Sequence, residues 1–281
     1  MSTACRIVDF TSYAETIPRL LEAIGAAEIL AGRRRILIKP NLVNASPFPV
    51  TLPVEACAAL IAACRRWCDA EIVVAEGCGE LHLTTSEVFA RHGYERMAAE
   101  LDVELVDLNE AELVELNNPA CRVFPTFMMP KIILESYLVS AAVLKAHSLA
   151  GVTLTMKNLI GCAPPAYYQQ DGHWKKAAFH RQMQTSIFEL NRYRQPDLAF
   201  IDASLGMAEH HLRGAACDPP VGKLVAGSDP VAVDAAGAGL LGVAWQQIGH
   251  IKMADGVLGS ARGMPHKVAP QEKRITGGTG R

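Results

Sequence analysis

Positions 144–162 read LKAHSLAGVTLTMKNLIGC, placing two lysines, a histidine, an asparagine and three alcohols in an otherwise apolar run of nineteen residues. Lys145 and His147 are two residues apart, so in an extended strand both side chains project from one face. A lysine beside a histidine disfavours the imidazolium and keeps the ring neutral near pH 7, the form suited to general base or acid catalysis. Lys157 and Asn158 add a cation and an amide to the same segment. Such groups suit an anionic substrate or an enolate-like intermediate. The plainer alternative is a solvated loop carrying ordinary lysines.

Other polar residues stand where apolar runs of strand length end. Lys39 and Asn41 close RILIKPNLV, Glu76 closes EIVVAEG, and Asp202 ends the apolar part of DLAFIDAS. Polar residues stop strands for dull reasons, but in open parallel sheets the C-terminal strand ends are also where ligands bind. A shared rim is therefore expected. Thr51 in VTLPVE opens a helix whose free N–H groups could hold a carboxylate or phosphate, although a plain helix start reads the same way. His180 in AAFHRQM lies near another helix start, where packing or exposure is the ordinary fate of a histidine. Asp229, just before Pro230, has the position of a capping residue, and Asp234 follows one turn on. His210 and His211 are adjacent, a spacing that points two rings apart and fits a loop better than a metal site. The terminal TGGTG follows no strand and opens no helix, so it is not a dinucleotide-binding fingerprint.

These residues need elements to position them. Strands are expected at 35–43, 71–77 and 103–108, with helices at 52–69, where Pro53 sits in the first turn, and at 86–100. This rhythm implies a largely parallel sheet covered by helices. Segments 121–127 and 130–136 read as a strand pair. The run 137–147 is a strand apolar on both faces, and 163–176, APPAYYQQDGHWKK, is a loop or lid rich in proline and aromatics. A helix over 178–193, a strand over 197–204, and a strand, turn and small-residue helix over 221–242 complete the pattern. The expected fold class is α/β: a mostly parallel or mixed sheet with helices on both faces, in one large domain (1–264) that has room for an inserted lobe, followed by an irregular tail (265–281).

At 281 residues the chain can bury a large core without staples. The formal charge of −2 leaves no electrostatic footprint for nucleic acid and no polybasic segment for anionic lipid. No membrane span or signal peptide is expected, and a cytoplasmic location follows. The eight cysteines, Cys5, Cys57, Cys64, Cys68, Cys78, Cys121, Cys162 and Cys217, include no Cys-x-x-Cys pair. In that compartment they are expected reduced. Cys57, Cys64 and Cys68 share a helical stripe in ACAALIAACRRWC, where cysteine reads as a small buried hydrophobe rather than a metal ligand.

The segments ILIKPNLV, TLPVE, IVVAEG, LKAHSLAGVTLTMKNLIG, His180, IDASLGM and LVAGSDPVAVDA, in that order, resemble the domain of unknown function 362 family over about residues 35–260. Many members carry a ferredoxin-like cysteine cluster. This sequence departs there, so an iron–sulfur cluster is not expected. The resemblance implies a common site at Lys39, Asn41, Thr51, Glu76, Lys145, His147, Lys157, Asn158, His180, Asp202 and Asp229, without a settled chemistry.

The leading expectation is an isomerase- or lyase-type enzyme acting by acid–base chemistry on a small anionic metabolite. In it His147 is base or acid, Lys145 and Lys157 are electrostatic clamps, Asn158 orients, and Glu76 and His180 are further proton carriers. Lys39, Asn41, Thr51, Asp202 and Asp229 contact the substrate. No cofactor is required. One alternative is a metal-dependent or iron–sulfur-associated redox protein, in the metal case with a divalent ion held by His147, His180, Glu76 and Asp202; another is a non-catalytic anion-binding protein. A homo-oligomer is compatible with the sequence.

Overall fold

The computed structural model describes residues 4–263. The tail expected from residue 265 onward lies outside them. Among the described residues ten strands occur in chain order: β1 (Arg6–Asp9), β2 (Arg35–Pro40), β3 (Glu71–Glu76), β4 (Glu104–Asp107), β5 (Leu113–Asn117), β6 (Thr126–Pro130), β7 (Tyr137–His147), β8 (Gly151–Thr153), β9 (Leu198–Met207) and β10 (Lys223–Gly227). Eight form one sheet in the order β1-β10-β9-β7-β2-β3-β4, with β8 paired to β7. The pairs β3–β4, β2–β3, β2–β7 and β7–β9 are parallel, whereas β10 runs antiparallel to β9 and β1 antiparallel to β10.

Period-two alternation splits each central strand between two cores. Ile36, Ile38, Val139, Ala141, Leu198 and Phe200 face one layer, built around helices Tyr13–Ala23 and Val54–Cys64. Leu37, Ala75 and Leu138 face a second cluster on the other side, and Ala199, Ile201 and Val225 a third. Burial of both faces explains why β7 reads as an unbroken apolar run. The fold is thus α/β, a mixed and mostly parallel sheet with helices on both faces.

Several segments differ from the sequence reading. The 121–127 and 130–136 pair does not form. Thr126–Pro130 pairs instead with Leu113–Asn117 as a separate two-stranded sheet, and Lys131–Glu135 is a short helix. Val-Glu-Leu at 114–116 alternates too briefly to announce a strand without its partner. The helix at 86–100 is two helices, Thr85–Arg91 and Tyr94–Leu101, separated at Gly93, whose φ of 76° ends the first. The segment 163–176 contains the helix Pro165–Tyr168. Its Tyr168 is buried, stacks on Phe127 at 4.7 Å and accepts the Met128 N–H at 2.8 Å, so part of this loop is core.

Candidate functional site

The chain leaves β2 to build β3 and β4 on one side and later builds β7 and β9 on the other. The C-terminal ends of β2 and β7 therefore flank the point where strand order reverses, the place where open α/β sheets leave a crevice. A cleft of about 70 Å³ lies there, lined by Lys39, Asn41, Glu76, Lys157, Asn158 and Lys176 among others.

Its floor is an ion pair. Lys39 Nζ lies 2.7 Å from Glu76 Oε1, with both side chains almost fully buried. Two buried charges repay their desolvation only when the remaining lone pairs are also satisfied. Here Glu76 Oε1 accepts the Gly77 N–H at 2.8 Å and Oε2 the Leu42 N–H at 2.9 Å, while Lys39 also donates to Asn158 Oδ1 at 3.1 Å. Gly161 lies directly above: a Cβ there would stand 2.1 Å from Glu76 Oε1 and 2.7 Å from Lys39 Nζ.

Asn158 ties the cleft to the sheet. Its Nδ2 donates to the Lys39 carbonyl and to Ser140 Oγ, both at 3.1 Å, and its Oδ1 also accepts from Asn41 Nδ2 at 3.3 Å. The short helix bearing it, Thr155–Asn158, is held by buried Asp234, whose carboxylate takes the N–H groups of Thr155 at 2.9 Å and Met156 at 3.0 Å and the Thr155 hydroxyl at 2.5 Å. Burial pushes the Asp234 carboxyl up to about 7. Lys145 donates to Asn41 Oδ1 at 2.6 Å and to the Val50 carbonyl, and burial, followed by repulsion from Lys157, lowers it to about 7.

Lys157 is half-buried, and its ammonium has no hydrogen-bond or ion-pair partner among the described residues. Burial, then the neighbouring Lys39, lowers it to about 8. His147 receives the N–H groups of Leu149 at 3.1 Å and Ala150 at 3.2 Å on Nδ1, and its ring stacks on His211 at 3.8 Å. Burial, followed by Lys157, His211, His180 and Lys145, drives its pKa far below the ordinary histidine value. His211 falls to about 3, through burial and then Lys157. His180 is exposed and also lowered, by partial desolvation and then Lys157.

The structure thus gathers Lys39, Asn41, Glu76, Lys157 and Asn158 around one cleft, with Lys145 bonded to Asn41 and the ring of His147 under the influence of Lys157. Three residues of the sequence-derived set are held elsewhere. Asp202 turns to the opposite face, where it accepts the Tyr13 hydroxyl at 2.8 Å and the Ser204 N–H at 2.9 Å. Asp229 caps helix Pro230–Leu240 through the N–H groups of Val231 and Ala232 and also takes the Ser260 N–H at 2.7 Å. Thr51 is buried, with its hydroxyl donated to the Ser46 carbonyl at 2.7 Å, and the helix begins at Val54. The four expected metal ligands do not converge: among the described residues no three His, Cys, Asp or Glu side chains form a metal-holding group.

Two contributors escaped the sequence reading. Lys176 folds back from the 163–176 loop, donates to Asn109 Oδ1 and the Ala163 carbonyl, and is lowered by burial to about 7. Its approach follows Lys175, whose N–H bonds the Gly79 carbonyl at 2.9 Å; no local signal marks either lysine. His210 and His211 do lie in a loop, but their rings stack at 4.6 Å rather than pointing apart, because His211 is drawn onto His147.

No curated protein and no solved structure matches this chain. The model of one family, described as "Domain of unknown function (DUF362)", matches residues 36–239, a span from β2 nearly to the end of helix Pro230–Leu240 that takes in the whole cleft. The chain belongs to the DUF362 family.

Proposed function

We propose that the protein is an enzyme that binds a small anionic metabolite in this cleft and moves a proton on it, in an isomerase- or lyase-type reaction. The observation that carries the reading is the Lys157 ammonium, which lines the cleft without a counter-ion while Glu76, the carboxylate that lines it too, is paired with Lys39. An unpaired, partly desolvated cation is costly unless a ligand anion completes it. Lys145 and Lys176, both lowered to about 7, supply groups able to exchange a proton near neutrality. His180, near enough to feel the Lys157 charge, is a further proton carrier, and Lys39, Asn41 and Asn158 orient the bound group. Eight free thiols accord with a cytoplasmic setting, and among the described residues no helix is long and apolar enough to cross a membrane.

The test works without the substrate being identified first. The protein is incubated in deuterium oxide with 2-hydroxy, 2-oxo and 3-hydroxy carboxylates and their phosphate esters, and the thermal midpoint and loss of carbon-bound proton signal are followed. At least one acid should raise the midpoint and lose a proton, and Lys157→Ala should weaken the stabilisation at least tenfold in half-saturating concentration. Stabilisation without proton exchange would make this a binding protein, and stabilisation undiminished in Lys157→Ala would remove the anion site from the cleft.

A further inference from the structure

The direction of the hydrogen bonds at His147 carries a second conclusion. Backbone N–H groups only donate, so the Nδ1 that receives those of Leu149 and Ala150 must present a lone pair. In the neutral ring the proton then sits on Nε2. That atom has no hydrogen-bond partner among the described residues and, although the residue is buried, is not fully sealed from solvent. Protonating Nδ1 would turn it against two donors at once.

The peptide that imposes this state is itself held. Gln184 Oε1 accepts the His250 backbone N–H at 2.8 Å, which fixes that atom as the oxygen, and Gln184 Nε2 donates to the Leu149 carbonyl at 3.0 Å. The same Oε1 lies 2.8 Å from His250 Nδ1, so this second ring carries its proton on Nδ1. Gly249 lets the two elements approach: a Cβ there would stand 3.0 Å from Gln184 Cβ and Cγ.

We propose that His147 is held as a neutral Nε2–H donor that stabilises negative charge on a substrate oxygen, not as the proton-abstracting base, and that Gln184 is a positioning residue for it. This rests on the acid–base reading of the cleft for its catalytic part and narrows the substrate to a compound whose carbonyl or carboxylate oxygen gains charge during reaction. The base then belongs to Glu76 or the amines. The groups facing the ring, Lys157, His211, His180 and Lys145, are all cationic when charged, so each opposes imidazolium formation.

The deciding measurement is nitrogen NMR of protein labelled at its nine histidines, with His147 assigned by the signals lost in His147→Gln. Nδ1 should resonate as an unprotonated nitrogen and Nε2 as an N–H, unchanged from about pH 5 to 8. A proton on Nδ1, or a midpoint inside that interval, overturns the proposal whether or not the protein is an enzyme. Gln184→Leu should shift the His147 nitrogen signals while remaining folded, and unshifted signals would remove its positioning role. In the deuterium assay His147→Gln, which keeps an N–H, should retain more than tenfold the exchange of His147→Ala. Equal rates in the two variants would reject the catalytic donor. Absent exchange in the wild-type protein would reject the acid–base reading and the catalytic donor with it, while the nitrogen spectrum still decides the held tautomer.

Discussion

A single glycine guards the ion pair on which the cleft is built. Gly161 presents bare backbone to Lys39 and Glu76, and a methyl group there would occupy the space of Oε1. Gly161→Ala should therefore separate the pair, at about 1–3 kcal/mol for the overpacking, and abolish the thermal response to anions. Urea denaturation and anion titration check this, and a variant with wild-type midpoint and response would show that the pair tolerates displacement. Much of this residue-level site is legible in the sequence, since Lys39, Asn41 and Glu76 stand at the ends of apolar runs and Lys157 and Asn158 inside one. Asp202 and Asp229 are legible as polar residues, but their engagement away from the cleft is not. Their partners Tyr13 and Ser260 lie 189 and 31 residues away in sequence, and only the fold pairs them.

At the scale of elements, helix Gly249–Ala254 carries a histidine that resists protonation. His250 is fully buried, donates through Nδ1, and has no partner for Nε2, so its charged form would seal an unsatisfied N–H in the core. Burial first, then Lys157, lowers it from 6.5 to about 3. The unfolded chain therefore binds this proton below 6.5 and the folded chain does not, so stability falls as pH drops from 6.5 toward 3. His250→Asn keeps the donor to Gln184 and cannot titrate. Relative to this variant, the wild-type protein should lose about 2 kcal/mol of unfolding free energy between about pH 6.5 and 5, measured by denaturant melts. Parallel pH profiles would contradict the assignment. Strands with a strong apolar signature, β2, β3, β7 and β10, are readable from local sequence, and so is helix Pro230–Leu240 behind its Asp-Pro start. The pair β5–β6 is not, because each strand is short, half-polar and defined chiefly by the other.

For the whole molecule, β1 closes the sheet against β10 with Ile7 opposite Val225 and Val8 opposite Leu224. An uncovered β10 edge would offer unpaired N–H and C=O groups to other chains. Deleting residues 1–10 should cost at least about 2 kcal/mol from the lost packing of Ile7 and Val8 and produce oligomers on size-exclusion with light scattering. A monomer of unchanged stability would show β1 to be ornamental. The alternation of strands and helices announces a parallel sheet, but the reversal of order at β2 and β7, which creates the cleft, is a property of connectivity that local periodicity does not encode.

The pairing of β1 with β10 also has a consequence in time. Asp9 ends β1 and Lys223 begins its partner 214 positions later, so all of the intervening chain must be made first. At about 5–20 residues per second, translation leaves β1 waiting roughly 10–40 s for its neighbour. The parallel strands from β2 to β9 can all emerge from the ribosome meanwhile, so β1, made before them, is seated after them.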